Sequence, residues 1–192
     1  MIALIDYGAG NIRSVQNALK RLNCEVVITK NKDIIKAADK VVFPGVGEAS
    51  SAMNALRENG IDTLIPTINV PFLGICLGLQ LLCSHSEEGD TKCLGIFEAK
   101  VRCFPPRDIV PQMGWNNCSS LNGPLFDGLT TSDDFYFVHS YYAEIEKHTT
   151  AVCDYITGFS ASLQKDNFYA TQFHPEKSAD TGEQLLKNFL AL

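Results

Sequence analysis

The sequence predicts an α/β fold: a central sheet, mostly parallel and mixed toward one side, flanked by helices. Three observations carry this. Short apolar runs alternate with segments of helical periodicity through the first half, glycines gather where those runs end, and the second half turns to short aromatic and β-branched runs separated by turns. With 192 residues and no linker, repeat or low-complexity tract, one domain spanning 1–192 is expected.

"MIALIDY" reads as a strand over 1–6, stopped by "GAGN". Ile12, Val15, Leu19 and Leu22 then recur at helical spacing, so a helix is expected over 12–22. "EVVIT" at 25–29 is the second strand, and its unbroken apolar run suits a sheet covered on both faces. "KVVFP" at 40–44 is the third. "GVGEASSAMNALRENG" gives a glycine-rich turn and a helix through Met53 and Leu56, extending toward Leu64. "VPFLGIC" is the fourth strand, with a helix from Leu77. Strand, helix, strand in that order implies parallel pairing with right-handed crossovers. "FEAKVRCFP", "DDFYFVHSYYAEI", "TAVCDYI", "FSASLQ" and "NFYATQFHP" read as further strands, partly antiparallel. A last helix over about 180–191 turns Leu185, Leu186, Phe189 and Leu190 to the core.

Composition excludes several function classes. A net charge of -6 argues against nucleic acid as the main partner. No apolar run approaches the roughly 20 residues that span a bilayer, and the N-terminus has no basic region of a secretory signal. No membrane association is expected, and the cytoplasm is the expected compartment. The seven cysteines form no CxxC pair and none sits at zinc-ligand spacing from a histidine, so no metal site is expected and most thiols read as small hydrophobes. No GxGxxG or GxxxxGK[ST] is present, so neither dinucleotide nor P-loop nucleotide binding is supported.

The chemistry is expected at "GICLG", residues 74–78, which has the G-x-nucleophile-x-G form with cysteine in the central place. On a sharp strand-to-helix turn, glycines on either side of Cys76 relieve crowding, and the helix N-terminus aimed at sulfur favours the thiolate. The Leu77 N–H is left free for an oxyanion. A base and its orienter stand in "TQFHPEKS": Pro175 biases His174 toward extended backbone, and residues two apart in an extended run share a side. His174 and Glu176 then meet, completing a Cys–His–Glu arrangement for covalent acyl transfer. His139 in "YFVHSYY" is a rival base without a carboxylate beside it in sequence. His85 in "SHSEEGD" and His148 in "EKHTT" read as solvated.

"PGVG", "GICLGLQLL" and "QFHPEKS", in that order, resemble the class I glutamine amidotransferases, the triad glutaminases with a nucleophile elbow. "IDYGAGN", "MGWN", "FYFVHSYY" and the "LLKNFL" of the last helix are similar, more closely, to glutaminase subunits of imidazole glycerol phosphate synthases. The resemblance covers the whole chain. It implies Cys76 as nucleophile, His174 as base and Glu176 as orienter, with Val46, Gly47 and Leu77 forming the oxyanion hole. Gln80, Gly45, Val138, His139 and Ser140 are implied to hold glutamine. No metal or organic cofactor is implied. The implied partner is a separate (β/α)8-barrel cyclase subunit in a heterodimer, a fold of about 250 residues that this chain is too short to contain. Trp115, Asn116 and Lys177 are assigned to that interface, with "MGWN" as an exposed loop. Gln112 stands where such subunits often have histidine, at a site read as near the interface. A paralogous glutaminase feeding amidino-sugar synthesis is the alternative. A pyridoxal-phosphate-synthase glutaminase, a cysteine peptidase or related hydrolase, and a non-catalytic binding partner fit the motifs less well.

Overall fold

The computed structural model describes residues 1–8 and 12–192. The middle of the "DYGAGN" turn, 9–11, lies outside the described residues. The first half runs β1 (Ile2–Ile5), α1 (Ile12–Arg21), β2 (Val26–Thr29), α2 (Lys32–Lys36), β3 (Lys40–Gly45), α3 (Ala49–Glu58), β4 (Phe72–Cys76) and α4 (Leu77–Leu82). The second half runs β5 (His85–Ser86), β6 (Thr91–Lys92), β7 (Lys100–Cys103), β8 (Gln112–Asn117), β9 (Ser120–Leu121), β10 (Asp134–His139), β11 (Tyr141–Ala143), β12 (Thr149–Asp154), β13 (Gly158–Lys165), β14 (Phe168–Thr171) and α5 (Ala179–Ala191).

The main sheet has the order β2-β1-β3-β4-β14-β13-β11-β7-β5-β6, with β12 and β9 branching from β13. From β2 to β14 all pairs are parallel. Beyond β14 the pairing turns antiparallel, apart from β5 with β7. Alternation along the strands feeds two cores. Ala3, Ile5, Val41, Phe43 and Phe72 point to the side covered by α2, α3 and α4. Ile2, Leu4, Val42, Leu73 and Ile75 point to the side covered by α1 and α5. The predicted flanked α/β sheet, parallel in its first half and mixed beyond, is therefore the observed one.

Four readings change. β2 is an edge strand, so its apolar run is half-buried rather than covered on both faces. α3 stops at Glu58 with Asn59 as cap, and Leu64 is buried on a separate turn leading into a 3-10 segment. "MGWN" is no loop: it lies within β8, paired antiparallel to β10. The single strand expected over "DDFYFVHSYYAEI" breaks at Ser140 into β10 and β11, which belong to different sheets.

Candidate active site

β4 ends on Cys76 and α4 begins one residue later. Cys76 has φ 56° and ψ -110°, a region that costs a non-glycine residue of order 1–3 kcal/mol and persists only where the surroundings impose it. Here the imposing contacts are visible. A Cβ on Gly78 would land on the carbonyl oxygen of Phe43, and one on Gly74 would meet Leu82 at 2.7 Å and the Gly78 backbone at 3.0 Å. Both glycines let α4 fold back tightly against β3 and β4. The register pairs Gly45 with Cys76, setting the "PGVG" turn beside the elbow, and Gly47 there takes φ +101°. Leu77 opens α4, where backbone N–H groups lack partners within the helix.

His174 follows β14, the parallel neighbour of β4. It is buried, and its backbone N–H donates to the Tyr136 carbonyl at 2.9 Å. Its Nδ1 meets Glu176 Oε1 at 2.8 Å, with the two side chains only 3% and 1% exposed. The predicted pairing is present, but not for the predicted reason. Glu176 does not continue an extended run: Pro175–Lys177 form a 3-10 turn. Ser178 locks that turn, donating to the His174 carbonyl at 2.7 Å and accepting from Tyr136 N–H at 2.9 Å. His174 Nε2 is buried and has no hydrogen bond of standard geometry, while the ring and the Cys76 sulfur line one cavity. Burial works against charge on this imidazole. Interaction with Cys76 and with Glu176 outweighs it and pushes the ring up to about 10.

That cavity holds about 330 Å³. It gathers Cys76, His174, Val46, Gly47, Leu77, Gln80, Val138, His139, Ser140 and Lys177 of the expected residues. Glu176 is outside the wall, behind His174. Gly45 is outside it too: the place of a Gly45 side chain is taken by the Tyr7 hydroxyl and Leu77. Gln80 lines the wall, but its amide N–H groups are already held, by the Tyr141 carbonyl at 2.9 Å and Gln172 Oε1 at 3.0 Å. It has no donor left for a substrate.

His139 donates from Nδ1 to the Tyr141 carbonyl at 2.8 Å and sits against the rings of Phe104, Phe137 and Phe159. Burial in that apolar cage lowers it to about 4. It stays neutral at neutral pH, and no carboxylate bonds to its ring, which sets it apart from His174.

Glu88 was missed. Its polar run reads as solvated, yet it lines the cavity and accepts the Ala49 N–H at 2.8 Å at the start of α3. Burial raises its carboxyl.

The residues assigned to an interface divide. Trp115 is 54% exposed and stands edge-on to Tyr136, with ring centres 5.9 Å apart. Lys177 reaches over the other side of this patch, its Nζ 5.9 Å from the Tyr136 ring centre. Asn116 is tied inward, donating to the Asp154 carbonyl at 3.0 Å. Gln112 is buried and pairs with His139 across the β8–β10 ribbon, on the same strand as the exposed Trp115. The outer face of that ribbon runs from Val138 in the cavity wall to the exposed Met113 and Trp115.

Residues 3–192 match the glutamine amidotransferase class-I family. The chain belongs to it. It is a glutaminase of that family. The chain is 57% identical over 194 residues to the imidazole glycerol phosphate synthase subunit HisH of Bacteroides fragilis strain YCH46, covering 100% of this chain and 99% of that one. It is 44% identical to the protein of the same name from Haemophilus influenzae strain Rd, covering 98% and 96%. Among solved structures, a glutamine amidotransferase superposes with a TM-score of 0.75 at 19% identity, over 100% of this chain and 98% of the other. A glutamine amidotransferase from Thermotoga maritima gives 0.64 at 16% identity, over 99% and 82%. These two share the fold. Among the described residues, no helix is long and apolar enough to cross a membrane and no cluster of three metal-ligating side chains occurs.

Proposed function

We propose that the chain, as one unit over 1–192, is the glutaminase subunit of an imidazole glycerol phosphate synthase in histidine biosynthesis. The observation that carries this is the cysteine at a positive-φ elbow sharing one cavity with His174, whose ring is backed by Glu176. Full-length identity of 57% and 44% to subunits of that name supports the pathway over amidino-sugar synthesis.

The Cys76 sulfur attacks the side-chain amide carbon of glutamine. The oxyanion that forms is held by backbone N–H groups of Leu77 and the Val46–Gly47 turn, each donor worth roughly 3 kcal/mol where it is well aimed. The C–N bond breaks as His174 gives its proton to the departing nitrogen, and ammonia leaves. Water then adds to the γ-glutamyl thioester with His174 as base, and glutamate is released. Glu176 holds the imidazole tautomer and balances its charge. Glu88 places a carboxylate where the substrate α-ammonium group needs one. Val138, near the end of β10, and Ser140, at the break before β11, line the same cavity.

Released ammonia would protonate in open water, so the acceptor site must adjoin. A (β/α)8-barrel cyclase subunit docks over the Trp115–Tyr136–Lys177 patch, forming a heterodimer. The complex works in the cytoplasm, in keeping with seven unpaired thiols.

The test is labelling with a diazo-ketone analogue of glutamine followed by peptide mapping. Cys76 alone of the seven thiols should be modified, and Cys76→Ser should lose glutamate release by several orders of magnitude while staying folded. Labelling centred on Cys83 or Cys118 would overturn the assignment.

A further inference from the structure

Gln172 is fully buried just past β14, in contact with the sulfur of Cys76. A chain of hydrogen bonds fixes which end of its amide faces that sulfur. The Tyr141 carbonyl can only accept. It takes Nδ1–H of His139 at 2.8 Å and one N–H of Gln80 at 2.9 Å. The amide nitrogen of Gln80 also donates to Gln172 Oε1 at 3.0 Å. With that oxygen engaged, the amide nitrogen of Gln172 must face the other way, and it lies 3.7 Å from Cys76 Sγ. Turning the Gln172 amide over would set two NH2 groups against each other and an oxygen against the sulfur.

We infer that Gln172 is a further catalytic residue of the glutaminase reaction proposed above, a hydrogen-bond donor to the Cys76 sulfur, with Gln80 as the positioning residue that aims it. The inference rests on Cys76 being the nucleophile. A neutral thiol accepts hydrogen bonds weakly, whereas a thiolate accepts them strongly. Sulfur carries negative charge twice in the cycle, before it attacks and again when it leaves. In the second step, water forms the new C–O bond and gives a proton to His174. The C–S bond breaks with its electron pair going to sulfur, and the glutamate γ-carboxyl departs. A donor on sulfur assists that departure.

Through its two amide N–H groups Gln80 therefore aims Gln172. The titratable groups around the sulfur are His174 after β14, Tyr7 after β1, His139 on β10, and Glu88, Tyr141 and Lys177 in the cavity wall. A change at Gln172 removes none of them.

The experiment is the pH dependence of Cys76 alkylation by iodoacetamide on the whole chain, with the site read by mass spectrometry and folding by circular dichroism. It needs no glutamine turnover. Gln172→Met should slow alkylation at pH 7 about tenfold and displace the profile upward by about one pH unit, the size of one hydrogen bond to a charged group. Gln172→Glu should displace it further. Gln80→Met, which leaves Gln172 in place but free to turn over, should shift it part of the way. An unchanged profile in folded Gln172→Met overturns the inference; if that variant does not fold, an unchanged profile in Gln80→Met does so. Alkylation of the unmodified chain at a site other than Cys76 would instead overturn the nucleophile assignment itself.

Discussion

Glu176→Gln isolates the contribution of charge behind His174. The replacement keeps the side-chain length and one oxygen to meet Nδ1, across a contact of 2.8 Å between side chains 3% and 1% exposed. A hydrogen bond to a charged acceptor contributes about 1.5–3 kcal/mol and a neutral one about 0.5–1.5 kcal/mol. A loss of about 1–2.5 kcal/mol corresponds to roughly 5- to 70-fold in kcat/KM. The pH profile should move as well. Against the penalty of burial, Cys76 and Glu176 together hold His174 at about 10, so the imidazolium survives well into the alkaline range. Removing the Glu176 charge lowers that value, and the basic limb of activity should retreat toward neutral pH. Stability follows the same sign. A folded-state value raised above the unfolded one, about 6.5 for histidine, contributes stability fully below that pH and loses it as pH rises through about 10. The difference in unfolding free energy between the two proteins should be widest in mildly acid solution and close on the alkaline side. Glutamate release from pH 5 to 10 and urea melts across the same range test this. Activity within about threefold of the parent, or a loss as deep as that of His174→Ala, would refute the reasoning.

Three further outcomes are expected. Glu88→Gln should raise KM for glutamine more than it lowers kcat, if the cavity-wall charge it removes meets the α-ammonium group as proposed; equal loss in both would assign it to chemistry instead. Gly78→Ala drives a methyl into the Phe43 carbonyl, and overpacking of this kind costs about 1–3 kcal/mol, so a urea melt should show lower stability and glutamate release should fall as Leu77 moves. The isolated chain should be a poor glutaminase, because a peptide between glycines at "PGVG" turns over easily and one misplaced oxyanion donor is worth about 10²–10³ in rate. Glutamate release should rise at least about 100-fold when the proposed barrel partner is added, and full activity without it would end that idea.

The first half of the fold was legible because its signals are local. The 3.6-residue spacing in α1 and the apolar runs of β1, β3 and β4 each fix an element from a few neighbouring residues. α2 escaped notice at five residues, too short for periodicity, although Asn31 caps it by accepting from the N–H groups of Asp33 and Ile34. The break at Ser140 was invisible because Phe137, Val138, Tyr141 and Tyr142 suit a strand equally well on either side of it. What splits them is pairing: among the described residues β10 pairs with β8 alone, while β11 takes β7 and β13.

The grouping of Cys76, His174 and Glu176 was legible for another reason. The elbow demands glycines at fixed places, and His174 and Glu176 are near in sequence. Glu88 and Gln172 were not legible. Glu88 reaches the cavity through a tertiary contact with the N-terminus of α3, 39 residues away. Gln172 reads as one more polar residue at a strand end until Gln80, 92 residues away, is seen to orient it.

The place of β14 in the sheet bears on how the chain is made. It comes last in chain order among the strands described, yet it lies in the interior of the main sheet, between β4 and β13. A growing polypeptide that has reached Cys76 has its nucleophile but leaves one side of fully buried β4 unpaired, an apolar edge open to other chains. That edge closes only when Phe168–Thr171 slot beside Phe72–Ile75, and the same event delivers the turn bearing His174. Nascent chains halted before that point are expected to be both inert and prone to self-association, and to need chaperones while they wait.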